Sequence, residues 1–152
     1  MITLLWFVLT FFVALLVLVL ARALYLQSSW HQSVFLAGAK PGRVDGFHKG
    51  SAGGYADGWR GKHFNSRTMT GDNVIRRNGK DRHVYPFKTY AGIGIVDHVR
   101  VLKIDYNVPG NPWWLRQLLD ELVQTGKKKF TGKLFFRPLK LPLAFFALEK
   151  RQ

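Results

Sequence analysis

The chain has 152 residues, with 23 Lys and Arg against 9 Asp and Glu, a formal net charge of +14 and no cysteine. The lack of Cys excludes disulfides, thiolate metal sites, a Cys nucleophile and a lipid-modified Cys, and the length behind the first apolar segment suffices for one small domain. The basic excess points to polyanionic surfaces, with anionic lipid headgroups ranked ahead of nucleic acid because no helix-turn-helix, zinc-finger or RNP-type pattern is present.

Residues Met1 to Ala21 contain no charged side chain. An apolar run of about 20 residues at ~1.5 Å rise spans the ~30 Å hydrocarbon core of a bilayer, so residues 1–23 are expected to form a single transmembrane anchor. Ala21-Arg22-Ala23 has the small-x-small form of a signal-peptidase site. Against cleavage, nothing basic precedes the run, and it exceeds the ~7–15 apolar residues of a signal peptide. Arg22, Lys40, Arg43 and Lys49 follow it, which favours a cytoplasmic domain by the positive-inside rule.

Residues 24–44 read as a juxtamembrane connector, interrupted by Ser28, Ser29, Gly38, Pro41 and Gly42. Arg22 and Trp30 are expected at the membrane surface, where aromatic rings and basic side chains meet headgroups.

Residues 45–152 read as a basic, β-rich domain. Glycines between Asp45 and Gly61 predict turns, and the first strand is expected at Gly61 to Phe64. Asn78-Gly79 predicts a tight hairpin. Pro86 places the strand from Val84 to Ala91 at an edge or bulge, and a phase slip in Val99 to Asn107 predicts a bulge near Leu102.

A helix is expected from Asn111 to Gly126, with Pro112 at its first position and an apolar stripe of Leu115, Leu118, Leu119, Leu122 and Val123. Asp120 and Glu121 would then lie on its solvated face, Arg116 pairing with Asp120. Lys127, Lys128 and Lys129 would follow as an exposed basic turn facing anionic headgroups. Strands from Phe130 to Arg137 and Leu143 to Glu149 complete an antiparallel barrel or half-barrel with one packed α-helix, mainly β in class.

Catalytic patterns are absent from the sequence. The histidines at 31, 48, 63, 83 and 98 lack zinc-protease spacing, Gly92-x-Gly94 lacks the rest of a dinucleotide fingerprint, and no serine sits in a nucleophile elbow. No metal site and no cofactor are therefore expected.

Gly61-Lys62-His63-Phe64 with Asn73, Asp105-Tyr106-Asn107, Asp120-Glu121-Leu122, Gly132-Lys133 and Phe145-Phe146-Ala147-Leu148-Glu149 together resemble a family of small, largely uncharacterised lipocalin-like proteins. The resemblance covers residues 58 to 149 and implies a fold more than an activity. Leu119 stands where that family has Arg, and Thr131 where it has Leu.

These readings converge on a membrane-anchored, non-catalytic module that binds a lipid or other hydrophobic small molecule at the bilayer surface. Trp59, Phe64, Tyr85, Tyr90, Tyr106 and Trp114 are the candidate ligand-binding residues. An accessory single-pass subunit of a larger membrane complex is the alternative, and a lipid-modifying enzyme the third. An open apolar cavity in the barrel favours the first of these, and a filled barrel the second.

Overall fold

The computed structural model describes residues 2–53 and 58–150. Eight antiparallel strands form a closed barrel in simple up-and-down order, β1 pairing with both β2 and β8. They are β1 (Gly46–Ser51), β2 (Trp59–Asn65), β3 (Thr70–Arg77), β4 (Lys80–Ile93), β5 (Arg100–Asp105), β6 (Leu118–Gly126), β7 (Lys129–Phe136) and β8 (Leu141–Lys150). Closure leaves no unpaired edge, which suits a small all-β domain in which every buried backbone group needs a partner. The mainly-β fold class expected from the sequence is observed.

Helix α1 (Ile2–Ser28) is long and apolar enough to cross a membrane. Its large side chains from Leu4 to Leu20 are exposed, whereas Ala23 and Leu26, beyond them, are buried where the helix reaches β8. Only Ser29 separates α1 from the next helix. A second helix, α2 (Trp30–Ala37), follows within the expected connector and packs on the outside of β6 and β7. This is the packed α-helix of the fold.

Lys133 fastens the two helices to the barrel. Fully buried on the outer wall, its Nζ donates to Gln27 Oε1 at 2.8 Å, Gln32 Oε1 at 2.8 Å and Asp97 Oδ2 at 2.7 Å. Gln32 Nε2 donates to the other Asp97 oxygen at 2.7 Å. Burial pulls the lysine pKa down and Asp97 opposes that shift, so the amine is held by one carboxylate and two amide oxygens.

The expected helix from Asn111 to Gly126 is not formed. A single 3-10 turn at Leu115–Gln117 leads directly into β6. Leu118 and Leu122 face the barrel interior, while Leu119 and Val123 lie on the outer wall, the latter against Phe35 of α2. Burial on both faces produces apolar residues at spacings that imitate a helical stripe.

The same two-sided burial explains the phase slip in β5. Val101 packs outward on Phe35 and Val123, and Leu102 inward on the core, with regular pairing to β4 and β6 and no bulge. The bulge expected at Pro86 is present. Gly71 pairs with Phe87 and Asn73 with Val84, so Tyr85 and Pro86 together oppose one residue of β3, and Tyr85 takes φ 54°.

Asn78 and Gly79, at φ 52° and 72°, make the expected two-residue hairpin between β3 and β4. The glycine-rich segment expected as turns contains β1 instead; its residues 54–57 lie outside the described residues. Gly61 is required by geometry, because it has φ 138° and a Cβ there would collide with the backbone carbonyl of His48 on β1.

The core fills one end of the barrel. Phe64, Phe87, Leu122, Phe130 and Leu148 pack there with His48, whose ring meets Phe64 and Phe130 edge-on at 5.3 Å. At the other end β1, β3, β5 and β7 finish, and that end is open.

Candidate functional site

Above the packed end lies a cavity of about 330 Å³ that opens at the mouth of the barrel. Trp59, Ile75, Tyr85, Leu115, Leu118 and Phe146 supply its apolar walls. Its size falls at the lower end of small-molecule sites, roughly 300–1,000 Å³.

Four polar side chains from four strands or strand ends meet in this cavity. Lys62 Nζ lies 2.9 Å from Asp120 Oδ2 and donates to Asn73 Oδ1 at 3.0 Å and to the Tyr106 hydroxyl. The Tyr106 hydroxyl donates to Asp120 Oδ2 at 3.0 Å and accepts from Asn73 Nδ2 at 3.2 Å. Trp59 Nε1 donates to Asn73 Oδ1 at 3.1 Å, tying the wall to the floor. The ammonium is also surrounded by the rings of Tyr106, Phe146, Phe87 and Trp59, with centroids 5.0 to 5.7 Å away.

Strand register explains the convergence. Lys62 pairs directly with Asn73 across β2 and β3, and alternation aims both inward. Asp120 pairs with Ile104 on β5, and Tyr106 follows that strand on the same face.

Burial works against the charge on Lys62, but Asp120 and Tyr106 outweigh it and its pKa is raised. Burial and then the Asp120 carboxylate push the Tyr106 phenol up to about 12. The lysine therefore stays charged and the phenol keeps its proton. Neither a free amine nucleophile nor a phenolate base is available at neutral pH. What the floor offers is a net-neutral set of hydrogen-bonding groups beneath apolar walls.

Comparison of the chain with protein-family models, with curated proteins and with solved structures found no match.

Of the residues singled out from sequence, Trp59, Tyr85 and Tyr106 line the cavity. Phe64 is buried in the packed end, below the floor. Tyr90 lies on the outer wall, its hydroxyl 3.4 Å from Asp105, and Trp114 is exposed on the segment leading to β6. Lys62, Asn73 and Asp120 were missed as site residues, although all three stand in the motifs that carry the family resemblance. Those short motifs were the available signal.

Asp120 and Glu121 are not on a solvated face. Both are buried, and Asp120 pairs with Lys62 rather than Arg116. Adjacent residues of a strand point to opposite sides, so a two-face burial was hidden by the helical reading.

A second depression, a groove of about 490 Å³, runs between the end of α1, the start of α2 and β8. Arg22 and Trp30 both line it, and Ala52, Ala144, Phe145 and Phe146 border it and the barrel cavity alike. Lys127 and Lys128 on the β6–β7 turn and Lys129 at the start of β7 are exposed, at the packed end of the barrel.

Proposed function

We propose that the protein is a membrane-anchored, non-catalytic module that takes up one small amphiphile from the bilayer surface into its barrel. The observation that carries this reading is the half-filled barrel, apolar along its walls and polar only at its floor. A polar end grouped around Lys62, Asn73, Tyr106 and Asp120 would find hydrogen-bond partners, while an acyl-like body would replace water along Trp59, Leu118 and Phe146.

Because the floor is net neutral, a charged headgroup would be desolvated there without an opposite charge free to meet it. An uncharged polar head fits better. Entry past Phe145 and Phe146 would connect the site with the groove beside α1, so the ligand would arrive from the membrane side.

The mouth-end turns support the same orientation. Trp113, Trp114 and Leu139 are exposed there, beside Arg116, Arg137 and Lys140. Aromatic and basic residues of this kind favour the headgroup layer. Charge flanking α1 favours a cytoplasmic domain. The eight-stranded barrel is compatible with the lipocalin-like resemblance, which we retain as part of the proposal.

Native mass spectrometry of the full chain in gentle detergent, supplied with monoolein or oleate, tests the reading. One monoolein per chain, bound more tightly than oleate, is the expected result. Leu118→Trp should fill the cavity and abolish the adduct while the protein still unfolds cooperatively. Absence of any adduct in the wild type, or equal binding in the variant, would refute it.

A further inference from the structure

The outer wall of the barrel carries a cluster that the cavity does not use. His63 on β2, Asp72 on β3 and His83 on β4 each offer one ligand atom, and the three atoms lie within 4.8 Å of one another. His83 Nδ1 is 2.6 Å from Asp72 Oδ1, and the two imidazole rings stand nearly perpendicular with centroids 5.6 Å apart. We propose that His63, Asp72 and His83 form a binding site for a divalent transition-metal ion such as Zn²⁺.

The backbone sets this arrangement. His63 and Asp72 are direct cross-strand partners, so both project from the same face. His83 pairs with Val74, which puts it diagonally next to Asp72 on the other side. Three neighbouring strands of a closed barrel thus present the three donors, and their spacing is fixed by the ladder rather than by a loop. Metal–ligand bonds of ~2.0–2.1 Å place donors about 3.4 Å apart in a tetrahedron. Binding would therefore open the 2.6 Å contact of His83 with Asp72 and draw in any donors that stand farther apart than that spacing.

Donor chemistry selects the ion. Two imidazoles and one carboxylate suit Zn²⁺, Cu²⁺ or Ni²⁺, whereas Mg²⁺ and Ca²⁺ require sets of oxygen ligands that one aspartate does not provide. The protein supplies three ligands, which leaves a fourth position for water or an external donor. His63 and Asp72 also line a cleft of about 440 Å³ with Asn65, Thr70, Val108 and Pro109, so that fourth position has room.

The sequence alone obscures the site because its ligands are nine and eleven positions apart, on separate strands. Neither interval matches a helical metal motif. An ordinary histidine–carboxylate contact accounts for His83 and Asp72 but not for the third donor. The approach of His63 is what distinguishes a metal site from a surface ion pair.

Calorimetric titration of Zn²⁺ into the untagged, EDTA-stripped full chain in detergent is the direct test. One ion per chain is expected in the wild type. His63→Ala and His83→Ala should each weaken binding at least about tenfold, the scale carried even by outer-shell partners of metal ligands. His98→Ala should leave it unchanged.

A ligand that binds only the native state raises its unfolding temperature, so Zn²⁺ should raise it in the wild type and not in the His63→Ala/His83→Ala double variant. Copper substitution should show nitrogen coupling from two imidazoles in its electron paramagnetic resonance spectrum. No saturable binding to the wild type, or wild-type affinity in both single variants, would overturn the proposal.

Discussion

Asp120 and Glu121 are neighbours on β6 whose carboxylates lie on opposite sides of the barrel wall. Asp120 points inward and pairs with Lys62 at 2.9 Å. Glu121 points outward, accepts the Ile95 N–H at 2.8 Å through Oε1, and has Lys103 at 3.9 Å. Among the described residues nothing hydrogen-bonds its buried Oε2. Two acidic residues that look alike in sequence therefore have opposite energetic roles.

Removing Asp120 leaves the Lys62 charge buried without its counter-ion. Losing one partner of a buried pair costs about 3–5 kcal/mol, whereas replacing both with apolar residues of similar volume is often neutral or stabilising. Asp120→Ala should therefore destabilise strongly, and Lys62→Met combined with Asp120→Leu should recover most of the loss. Denaturant unfolding of the detergent-solubilised chain measures both, and additive losses in the double variant would contradict the ion-pair account.

Glu121 should behave in the opposite sense. Burial raises its pKa above the ordinary 4.5, with the Ile95 hydrogen bond and Lys103 only partly offsetting it. Between 4.5 and the raised value, the folded state holds a proton that the unfolded chain has released. Stability tied to this group is thus present at low pH and lost as pH rises through that window. Glu121→Gln removes the loss, so its unfolding temperature relative to wild type should climb as pH rises from 4.5. A constant difference across the range would show that Glu121 does not titrate in this way.

The continuity of α1 bears on membrane attachment. The helix runs unbroken through Ala21-Arg22-Ala23 to Ser28, with Ala23 buried at the barrel. A chain cut after Ala23 would lose most of α1 together with the Ala23 contact. The protein is expected to stay in the membrane pellet after alkaline carbonate washing, with the α1 segment retained in intact-mass measurement. Recovery of a soluble chain beginning at Leu24 would establish cleavage.

Local chemistry made several elements legible. The uncharged start of the chain yields a long apolar helix, because composition and length suffice to specify it. Asn78-Gly79 yields a hairpin, since both residues tolerate positive φ. Pro86 marks a bulge because it lacks an N–H for the ladder. Each of these depends on residues close together in the chain.

Tertiary structure decided the rest. Leu115, Leu118, Leu119, Leu122 and Val123 fit a helical stripe, but α2 covers the outside of β6 and the last four belong to a strand buried on both faces, with Leu115 in the turn before it. Lys62 and Tyr106 are 44 positions apart, yet both point into one cavity because barrel closure and strand register bring them there. His63, Asp72 and His83 meet for the same reason on the outer wall. A sequence encodes which residues are able to turn, span or alternate; which of them become neighbours across a sheet is set by register, and register is fixed only when the whole barrel closes.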